Sequence, residues 1–395
     1  MNVVIAAASS SGQISGVQRH AINLTRCLLK RNEISRVHLA VAPWQRDFIQ
    51  DSMQSKDARL EVHSVPIGNS ALSRNLWFYA RLPKLANQLE ADIVHLAYPA
   101  PIRRGAFRCP VVVTLHDLYP YDIPENFGFP KVLFNRAALS HCLRQIDAIA
   151  CVSQSTLARL KSAYPQLALK RVQVICNSVE QPAPAIAETQ AEDWESQPFL
   201  LCVAQHRRNK NIMLVMRVFE RLLHNQQIAP LTRLIVIGIP GPETPAIHQF
   251  IAAAGLNRSV ILRNGISEAR LQRCYRNCSL LLAPSSVEGF GLPVAEALLA
   301  GCRVVCSDIP AFRELGGSHC HFVPLGPNEV QTFAEAIRVA LEQERPEPIS
   351  LPQFSPSVIA EGYLQLYRSL LPLQAVSRVP SPFPEVSASE IEHLI

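Results

Sequence analysis

The stretch LLLAPSSVEGFGLPVAEALLAGCRVVCS, residues 280–307, decides the fold. Its pattern predicts a strand, a loop, a helix and a second strand. The apolar run 280–283 ends at Pro284, which is typical of a buried parallel strand. Pro293 suits the first turn of a helix, and Gly301 is typical of a left-handed helix cap. The apolar run 304–306 then predicts the next strand.

The junction between this loop and its helix is where we expect an anionic ligand. Gly289 and Gly291 allow the backbone to approach a ligand closely. The helix N-terminus offers free N–H groups and the positive end of a dipole. Two carboxylates, Glu288 and Glu296, flank the junction and can accept hydrogen bonds from sugar hydroxyls. The segment therefore predicts a site for a ligand that carries both a phosphate and a polyol.

Residues 288–296, EGFGLPVAE, resemble the signature of the retaining, nucleotide-sugar-dependent glycosyltransferases of family 4. That signature is two glutamates separated by seven residues, around a Gly-Phe-Gly-Leu-Pro core. An ordinary glycine-bearing turn is the alternative, but residue types and spacing agree together. The resemblance implies a GT-B fold, an α/β architecture of two doubly wound parallel-sheet (Rossmann-like) domains with a cleft between them. It further implies that Glu288 holds the sugar hydroxyls and Glu296 the ribose, with donor contacts from Gly289, Phe290, Gly291 and Leu292.

Composition is that of a two-domain globular protein without nucleic-acid partners. A chain of 395 residues, 48% hydrophobic and 18% charged, is long for a single core. We find no apolar run long enough to span a membrane, and the N-terminus reads directly as a strand, so we expect no signal peptide. A net charge of +6 suits anionic ligands, but the basic runs are too short to indicate nucleic acid. Eleven scattered cysteines predict reduced thiols and a cytoplasmic protein.

The first domain is predicted over residues 1–180 and contains two candidate site segments. After a strand at 2–8, the small-residue loop 9–16 leads into a helix at 17–29, which is a natural cradle for an anion. Residues 15–20, SGVQRH, resemble the Gly-Gly-Val segment of the family with one glycine replaced. The resemblance implies that the Gly16 backbone approaches the donor diphosphate and that this domain binds the acceptor.

The second candidate segment of this domain is PVVVTLHD, residues 110–117. A β-branched run ends in His116 and Asp117 at the carboxyl end of a predicted parallel strand, where ligands gather in open α/β sheets. The family has a matching His-Asp pair, which implies that His116 lies near the donor sugar and the acceptor. Asp117 either orients His116 or starts the next turn.

Residues 181–197, rich in Pro, Ala and acids, predict a linker, and residues 198–354 a nucleotide-sugar-binding second domain. RRNKN, residues 207–211, follows its first strand, and cations there would offset diphosphate charge. Lys210 and Asn211 match a family motif directly, whereas Asn209 stands at the arginine position, so Arg208 is a shifted candidate. A solvated basic turn is the alternative.

The C-terminal region predicts a helix over 355–371 that packs back on the first domain, followed by a disordered tail at 372–395. Pro356 stands where the family has a tryptophan. In the first domain, RNLWFYARLPK at 74–84 is basic and aromatic. We favour a helix that buries Leu76, Tyr79 and Leu82 over a membrane-surface or acceptor-binding helix, so peripheral contact with the inner face of the membrane stays an alternative.

The function predicted from these observations is retaining transfer from a nucleotide diphosphate sugar to a saccharide or lipid-linked acceptor, without a metal or other cofactor. His116 and Glu288 are the expected catalytic residues, and no covalent nucleophile is evident. A nucleotide-sugar 2-epimerase shares the architecture but is disfavoured by the glutamate pair. A catalytically silent nucleotide-binding homologue stays open because Ser178, Asn209 and Pro356 depart from the family pattern. A dehydrogenase would need GxGxxG after the first strand, and residues 9–16 do not supply it.

Overall fold

The computed structural model describes residues 1–9, 15–53, 57–169, 171–180 and 193–372. Residues 10–14 of the first glycine loop, most of the predicted linker and nearly all of the predicted tail lie outside the described residues. Within them the chain builds two sheets in which every recorded strand pairing is parallel.

The first sheet has seven strands in the order β3-β2-β1-β4-β5-β6-β7. Its strands are β1 (Asn2–Ala6), β2 (Arg36–Val41), β3 (Leu60–Ser64), β4 (Ile93–Leu96), β5 (Val111–Leu115), β6 (Ala148–Cys151) and β7 (Arg171–Val174). The second sheet has six strands in the order β10-β9-β8-β11-β12-β13. Its strands are β8 (Phe199–Val203), β9 (Arg233–Ile237), β10 (Val260–Arg263), β11 (Leu280–Ala283), β12 (Val304–Ser307) and β13 (His321–Val323).

Helices cover both faces of each sheet. Those that follow strands of the first sheet are α1 (Gly16–Leu29), α2 (Arg46–Met53), α3 (Ala71–Leu76), α4 (Leu82–Gln88), α5 (Tyr119–Asp122), α6 (Lys131–Gln145) and α7 (Gln154–Ala163). Those that follow strands of the second are α8 (Ile212–His224), α9 (Thr244–Ala253), α10 (Glu268–Asn277), α11 (Leu292–Leu299), α12 (Pro310–Gly316), α13 (Glu329–Glu342) and α14 (Pro356–Arg368). We call each sheet with the helices that cover it a lobe.

The predicted fold class is confirmed: each lobe is a doubly wound parallel sheet. In the first sheet the strand order reverses between β1 and β4, and in the second between β8 and β11. Such reversal points place a crevice at the carboxyl ends of the strands. The inner strands of each sheet are almost fully buried because helices lie on both faces, which is why they read as continuous apolar runs. The edge strands β3, β7, β10 and β13 are only partly buried.

Helix α14 belongs by its packing to the first lobe, although it follows the second lobe in sequence. Ile359, Tyr363 and Tyr367 are buried in the core that also contains α1 and the inner face of β1 and β2. Gly362 lies against Ile175, with 3.4 Å between the position of a Cβ and the isoleucine side chain. The first lobe is therefore completed by the last described helix of the chain.

A buried polar cluster joins α14 to the first sheet at Thr114. The Thr114 hydroxyl lies 3.1 Å from the Tyr363 hydroxyl and 2.8 Å from Nε2 of His95. Nδ1 of His95 lies 2.7 Å from the Tyr367 hydroxyl. Neutral imidazole satisfies this geometry: His95 Nε2–H donates to Thr114, and its Nδ1 accepts from Tyr367.

The same threonine reaches α1 through His20. Nδ1 of His20 donates to Oδ1 of Asn177 at 2.8 Å, and its Nε2 lies 3.1 Å from the Thr114 hydroxyl, which donates to it. The ring of His116 packs edge-to-face on the ring of His20, with 4.8 Å between the two ring centroids. Burial lowers the pKa of His20 well below its usual range, lowers that of His95 to about 3 and lowers that of His116 to about 4. All three rings are neutral at pH 7.

The segment 74–84 corrects one sequence prediction. Leu76 and Tyr79 are exposed, at 57% and 41%, whereas Trp77 and Phe78 are buried together with Leu82. The prediction assumed one regular α-helix. Instead, residues Trp77–Arg81 form a π-helical turn in which Leu82 N–H donates to the Trp77 carbonyl, five residues back. The wider turn breaks the regular spacing on which the prediction relied.

We predict that acid destabilises the first lobe through these neutral histidines. A group whose pKa is lowered by folding stabilises the native state above its unfolded pKa, near 6.5, and loses that contribution as the pH falls. For His95, whose pKa burial lowers to about 3, the free energy of unfolding is about 2 kcal/mol lower at pH 5 than at pH 7. His95→Gln should therefore reduce the difference in unfolding free energy between pH 7 and pH 5 by about that amount, as measured by urea unfolding followed by circular dichroism.

The matched control is His319→Gln, because His319 is exposed. This variant should reproduce the wild-type dependence on pH. An equal dependence in His95→Gln and wild type would contradict the role given to His95.

Candidate functional site

The predicted site residues converge from four loops at the carboxyl ends of strands. In the first lobe, Gly16 begins α1 after β1, and His116 follows β5 directly. In the second lobe, Lys210 lies in the turn after β8, and Glu288 in the loop after β11. Strands β1, β8 and β11 flank the reversal points of the two sheets, and β5 lies one strand beyond β4, so the topology places each loop at the crevice end of its own sheet.

The two lobes meet backbone to backbone at Gly289. A Cβ on Gly289 would lie 1.7 Å from the carbonyl oxygen of His116, so only glycine fits. The Thr156 hydroxyl donates to the Gly289 carbonyl at 3.3 Å. Gly291 has φ of +103°, and a Cβ there would meet the Phe312 ring at 2.7 Å. Both glycines of the signature are thus required by packing and backbone conformation.

Further bonds hold the lobes in register around this contact. The carboxylate of Glu314 accepts from the backbone N–H groups of Gln154 and Ser155, at 2.9 and 3.3 Å, and so caps the first turn of α7. Glu314 therefore has a structural role in this contact. Nδ2 of Asn126 donates to Oδ1 of Asn209 at 3.1 Å.

Glu288 is paired with Lys210 inside the crevice. Nζ of Lys210 lies 2.5 Å from Oε1 of Glu288, and the side chains are 19% and 11% exposed. The Ser285 hydroxyl donates to the same carboxylate oxygen at 2.7 Å. A cavity beside the pair, lined also by Pro293 and Phe312, has room for about one water molecule. The other oxygen of Glu288 is left to accept from a ligand.

Glu296 is paired across the lobes with Arg19 of α1. Nη1 of Arg19 lies 2.9 Å from Oε1 of Glu296, and its Nη2 lies 2.8 Å from the exposed Glu268. The Tyr275 hydroxyl donates to Oε2 of Glu296 at 2.8 Å. Burial raises the pKa of Glu296, although Arg19 opposes that shift. Arg19 thus lies one turn into α1, between Gly16 and the second glutamate of the signature.

His116 faces the crevice as a neutral ring. Its Nε2 donates to the carbonyl of Ala97 at 2.8 Å, which leaves Nδ1 unprotonated and able to accept a hydrogen bond. Asp117 accepts from Tyr119 N–H at 3.0 Å and holds the turn that starts α5, which agrees with the second of its two predicted roles. Burial raises the pKa of Asp117 to about 6, while Lys210 and Arg207 from the other lobe oppose the shift.

The basic turn after β8 is only partly directed at the crevice. Arg207 is exposed but close enough to Asp117 to act on its charge. Arg208 is exposed, and Asn209 is buried with its amide donating to the Val287 carbonyl at 3.3 Å. Asn211 has φ of +52° and is the N-cap residue immediately before α8. Asn209 therefore uses the position of the family arginine to tie two loops together.

The remaining residues that were predicted to contact the donor lie in the signature segment 288–296. The Phe290 side chain is buried and packs edge-to-face on Phe354, 5.1 Å between ring centroids. It can reach a donor only through its backbone. Leu292 is the first residue of α11, so its N–H is among those left unpaired by the helix.

Sequence reasoning assigned no role to Arg19, Ser285 or Tyr275, which the structure places in the site. Arg19 carried a signal, since it stands three residues after the candidate phosphate-binding glycine. Arg207 was predicted only as one cation of the basic run, two residues before the motif position held by Asn209. Ser285 and Tyr275 carried none, because their roles depend on how α10 and the loop after β11 pack against the two glutamates.

Comparison with known proteins agrees with this geometry. The profile described as "Glycosyltransferase Family 4" matches residues 14–181, and the one described as "Glycosyl transferases group 1" matches residues 187–351. The chain is 23% identical over 363 residues to O-antigen chain mannosyltransferase B of Escherichia coli, covering 87% of this chain and 91% of that one.

Two further likenesses are informative. The GDP-mannose:cellobiosyl-diphosphopolyprenol alpha-mannosyltransferase of Xanthomonas oryzae is 24% identical over 265 residues, which covers 61% of this chain and 67% of that one. The crystal structure of Anabaena HepE in complex with UDP and glucose superposes with a TM-score of 0.62 at 18% identity, covering 94% and 95% of the two chains. The superposition with HepE shows that the two chains share one fold.

The two profiles divide the chain between them as the two sheets do, one profile to each lobe. No helix in the described ranges is both long and apolar enough to cross a bilayer. The chain belongs to the glycosyl transferases group 1, in the family 4 type, and is a glycosyltransferase of GT-B fold.

Proposed function

We propose that this glycosyltransferase moves a hexosyl group from a nucleoside diphosphate sugar to a saccharide or lipid-linked acceptor, with retention at the anomeric carbon and without a divalent ion. One observation carries the proposal. The ion pair of Lys210 with Glu288 lies at the point where the Gly289 backbone meets His116. A cation for the leaving diphosphate and hydrogen-bond acceptors for the sugar hydroxyls thereby lie close together.

The diphosphate is stabilised by protein groups in this scheme. Cleavage of the sugar–phosphate bond leaves negative charge on the diphosphate, and fixed positive groups lower the barrier by stabilising it. Lys210 is the central cation, with Arg207 or Arg208 at the rim. The N-termini of α1 at Gly16 and of α11 after Gly291 add unpaired N–H groups. When the diphosphate takes over Lys210, the Glu288 carboxylate is released to the sugar.

The side chains that hold the sugar act as hydrogen-bond acceptors in this scheme. Glu288 accepts hydrogen bonds from the sugar hydroxyls. The unprotonated Nδ1 of His116 accepts a hydrogen bond from another sugar hydroxyl or from the attacking hydroxyl of the acceptor substrate. Glu296 is the ribose partner, and Arg19 fixes its orientation across the lobes. No side chain is assigned as a covalent nucleophile. Attack on the face from which the diphosphate leaves, with a diphosphate oxygen taking the proton, gives retention.

The donor proposed for first trial is GDP-mannose. The support is that two relatives of this chain are named as mannosyltransferases and that the name of one of them specifies GDP-mannose. The same name specifies a diphosphopolyprenol-linked acceptor, and the other specifies an O-antigen chain. We extend both to this chain as a lipid-linked saccharide acceptor in polysaccharide assembly, a reaction at the cytoplasmic face of a membrane.

A surface on the first lobe supports peripheral contact with that membrane. Six large apolar side chains are exposed there: Leu72 (70%), Leu76 (57%), Tyr79 (41%), Phe129 (84%), Leu133 (51%) and Phe134 (71%). The Tyr79 ring lies 6.4 Å from that of His141 on α6, so the two stretches form one surface. Exposed Arg81, Lys84 and Lys131 add positive charge. Apolar and basic groups together favour an anionic lipid surface.

Glu288→Gln is expected to lower kcat/KM for donor turnover by at least about 100-fold, or about 2.7 kcal/mol of transition-state stabilisation, because the charged acceptor at the reacting sugar is lost. Glutamine has the same shape, so the fold should persist. The measurement is release of nucleoside diphosphate from GDP- and UDP-linked sugars, with GDP-mannose first. The control is Glu335→Gln, an exposed glutamate on α13.

Unchanged turnover in Glu288→Gln would remove the site assignment. Tight binding of nucleotide by the wild type, with no turnover of any nucleotide sugar, would instead favour the catalytically silent homologue.

Metal independence and retention are tested in one reaction. Initial rates should agree within about twofold with and without EDTA, because protein cations replace a divalent ion at the diphosphate. NMR of the first-formed product should show the anomeric configuration of the donor. Loss of activity in EDTA that Mg²⁺ or Mn²⁺ restores would refute the metal-free scheme, and an inverted product would refute retention.

The membrane surface is tested by sedimentation with vesicles. The double variant Phe129→Ser, Phe134→Ser should bind vesicles with 30% anionic lipid at least about tenfold more weakly than wild type, because two exposed apolar side chains no longer insert. Leu231→Ser is the control, since Leu231 is equally a large exposed apolar residue but lies on the second lobe. Equal binding of all three proteins would contradict this surface.

A further inference from the structure

Three side chains with metal-ligand chemistry lie together on the last two strands at one edge of the first sheet. His38 is on β2, and Glu61 and His63 are on β3. His38 is directly opposite Glu61 in the parallel register. Glu61 and His63 are two residues apart and so point to the same face of β3. The strand pairing itself therefore brings the three groups together.

The three potential ligand atoms, one from each side chain, form a triangle of the size expected for three ligands of a tetrahedral metal site. Nδ1 of His38 lies 2.9 Å from Nε2 of His63. Oε2 of Glu61 lies 3.3 Å from the first nitrogen and 3.7 Å from the second. A triangle with these sides has a centre about 1.9 Å from each corner. An ion with bonds of about 2.0–2.1 Å would sit just above its plane, as Zn²⁺ does above three ligands of a tetrahedral site.

The surroundings suit such an ion. Nη1 of Arg36 lies 3.4 Å from the other oxygen of Glu61, so the carboxylate is held with Oε2 toward the imidazoles. Ligand carboxylates are commonly oriented by such outer partners. His38 is 2% exposed, whereas the side chains of His63 and Glu61 are 28% and 43% exposed. The cluster is thus anchored on the inside and open to solvent on the outside, where water can supply a fourth ligand.

We propose that His38, Glu61 and His63 form a binding site for one divalent transition-metal ion of the zinc type. Two imidazole nitrogens and one carboxylate oxygen are a ligand set that zinc accepts and that Mg²⁺ and Ca²⁺ disfavour. In the metal-free protein one ring nitrogen donates a hydrogen bond to the other. The ion replaces that shared proton and coordinates both nitrogens.

This site is separate from the reaction. Strands β1 and β4 lie between β2 and β5, the strand that ends at His116. Adjacent strands are about 4.8 Å apart, so β2 is roughly 14 Å from β5. The ion would instead join the edge strand β3 to β2. An edge strand is bonded on one side only, and a cross-strand metal bond stabilises it.

The test uses the untagged full-length chain after treatment with a chelator. Titration with ZnCl2 followed by calorimetry should show one equivalent bound, and the melting temperature should rise with zinc because the ion binds the folded state. His63→Ala should weaken binding at this site by at least about tenfold and abolish the rise. Glu61→Gln should also weaken binding. Both side chains are partly exposed, so these variants should fold.

Co²⁺ provides a signature that the cysteines cannot imitate. Cobalt at this site should give visible absorption of tetrahedral type without the near-ultraviolet thiolate band. His224→Ala, which removes an exposed histidine of α8, should bind like wild type. Unchanged stoichiometry and affinity in His63→Ala, or a thiolate band in the wild-type cobalt spectrum, would overturn the proposal. Sugar transfer should be equal with the site filled or empty, so this test is independent of the proposed function.

Discussion

The close approach of the Gly289 backbone to the His116 carbonyl is the constraint on which the site depends. A side chain at position 289 would overlap that oxygen, with 1.7 Å between them. Because these backbones touch, the loop after β11 and the end of β5 share one crevice, and Glu288 is held beside Lys210 within reach of His116. The Arg19–Glu296 pair and the cap that Glu314 places on α7 keep the lobes aligned around this contact. The signature glycines therefore serve lobe packing as well as any phosphate contact.

Most of the fold was predictable from the sequence because strands buried on both faces read as apolar runs. The predicted strand at residues 280–283 and the helix at Pro293 both occur in the structure. The face of the segment around Trp77 was not predictable, since a π-helical turn breaks the regular spacing on which such a prediction relies. A local sequence pattern indicates the spacing of buried residues in a regular helix. It does not indicate where tertiary packing widens one helical turn.

The candidate site divides in a similar way. Residues that stand at strand ends or within the signature, such as His116 and Glu288, could be placed from sequence because topology fixes where strand ends lie. Their partners could not, because Arg19 and Tyr275 reach Glu296 from helices of different lobes. The cation at the family arginine position was replaced by Asn209, and only the structure shows that this residue is buried and bonded to the loop before Glu288. Charge pairing across a crevice is a property of three-dimensional packing.

The position of α14 has a consequence for how the protein is made. Ribosomes release the chain from its N-terminus, so the strands of the first lobe emerge long before residues 356–368 do. Until then the apolar groove between α1 and the sheet lacks Tyr363 and Tyr367, and the Thr114 hydroxyl lacks one of its partners. While the second lobe is synthesised, the first lobe therefore lacks part of its core, and exposed apolar surface of this kind favours aggregation. Translation of α14 supplies the missing part of that core.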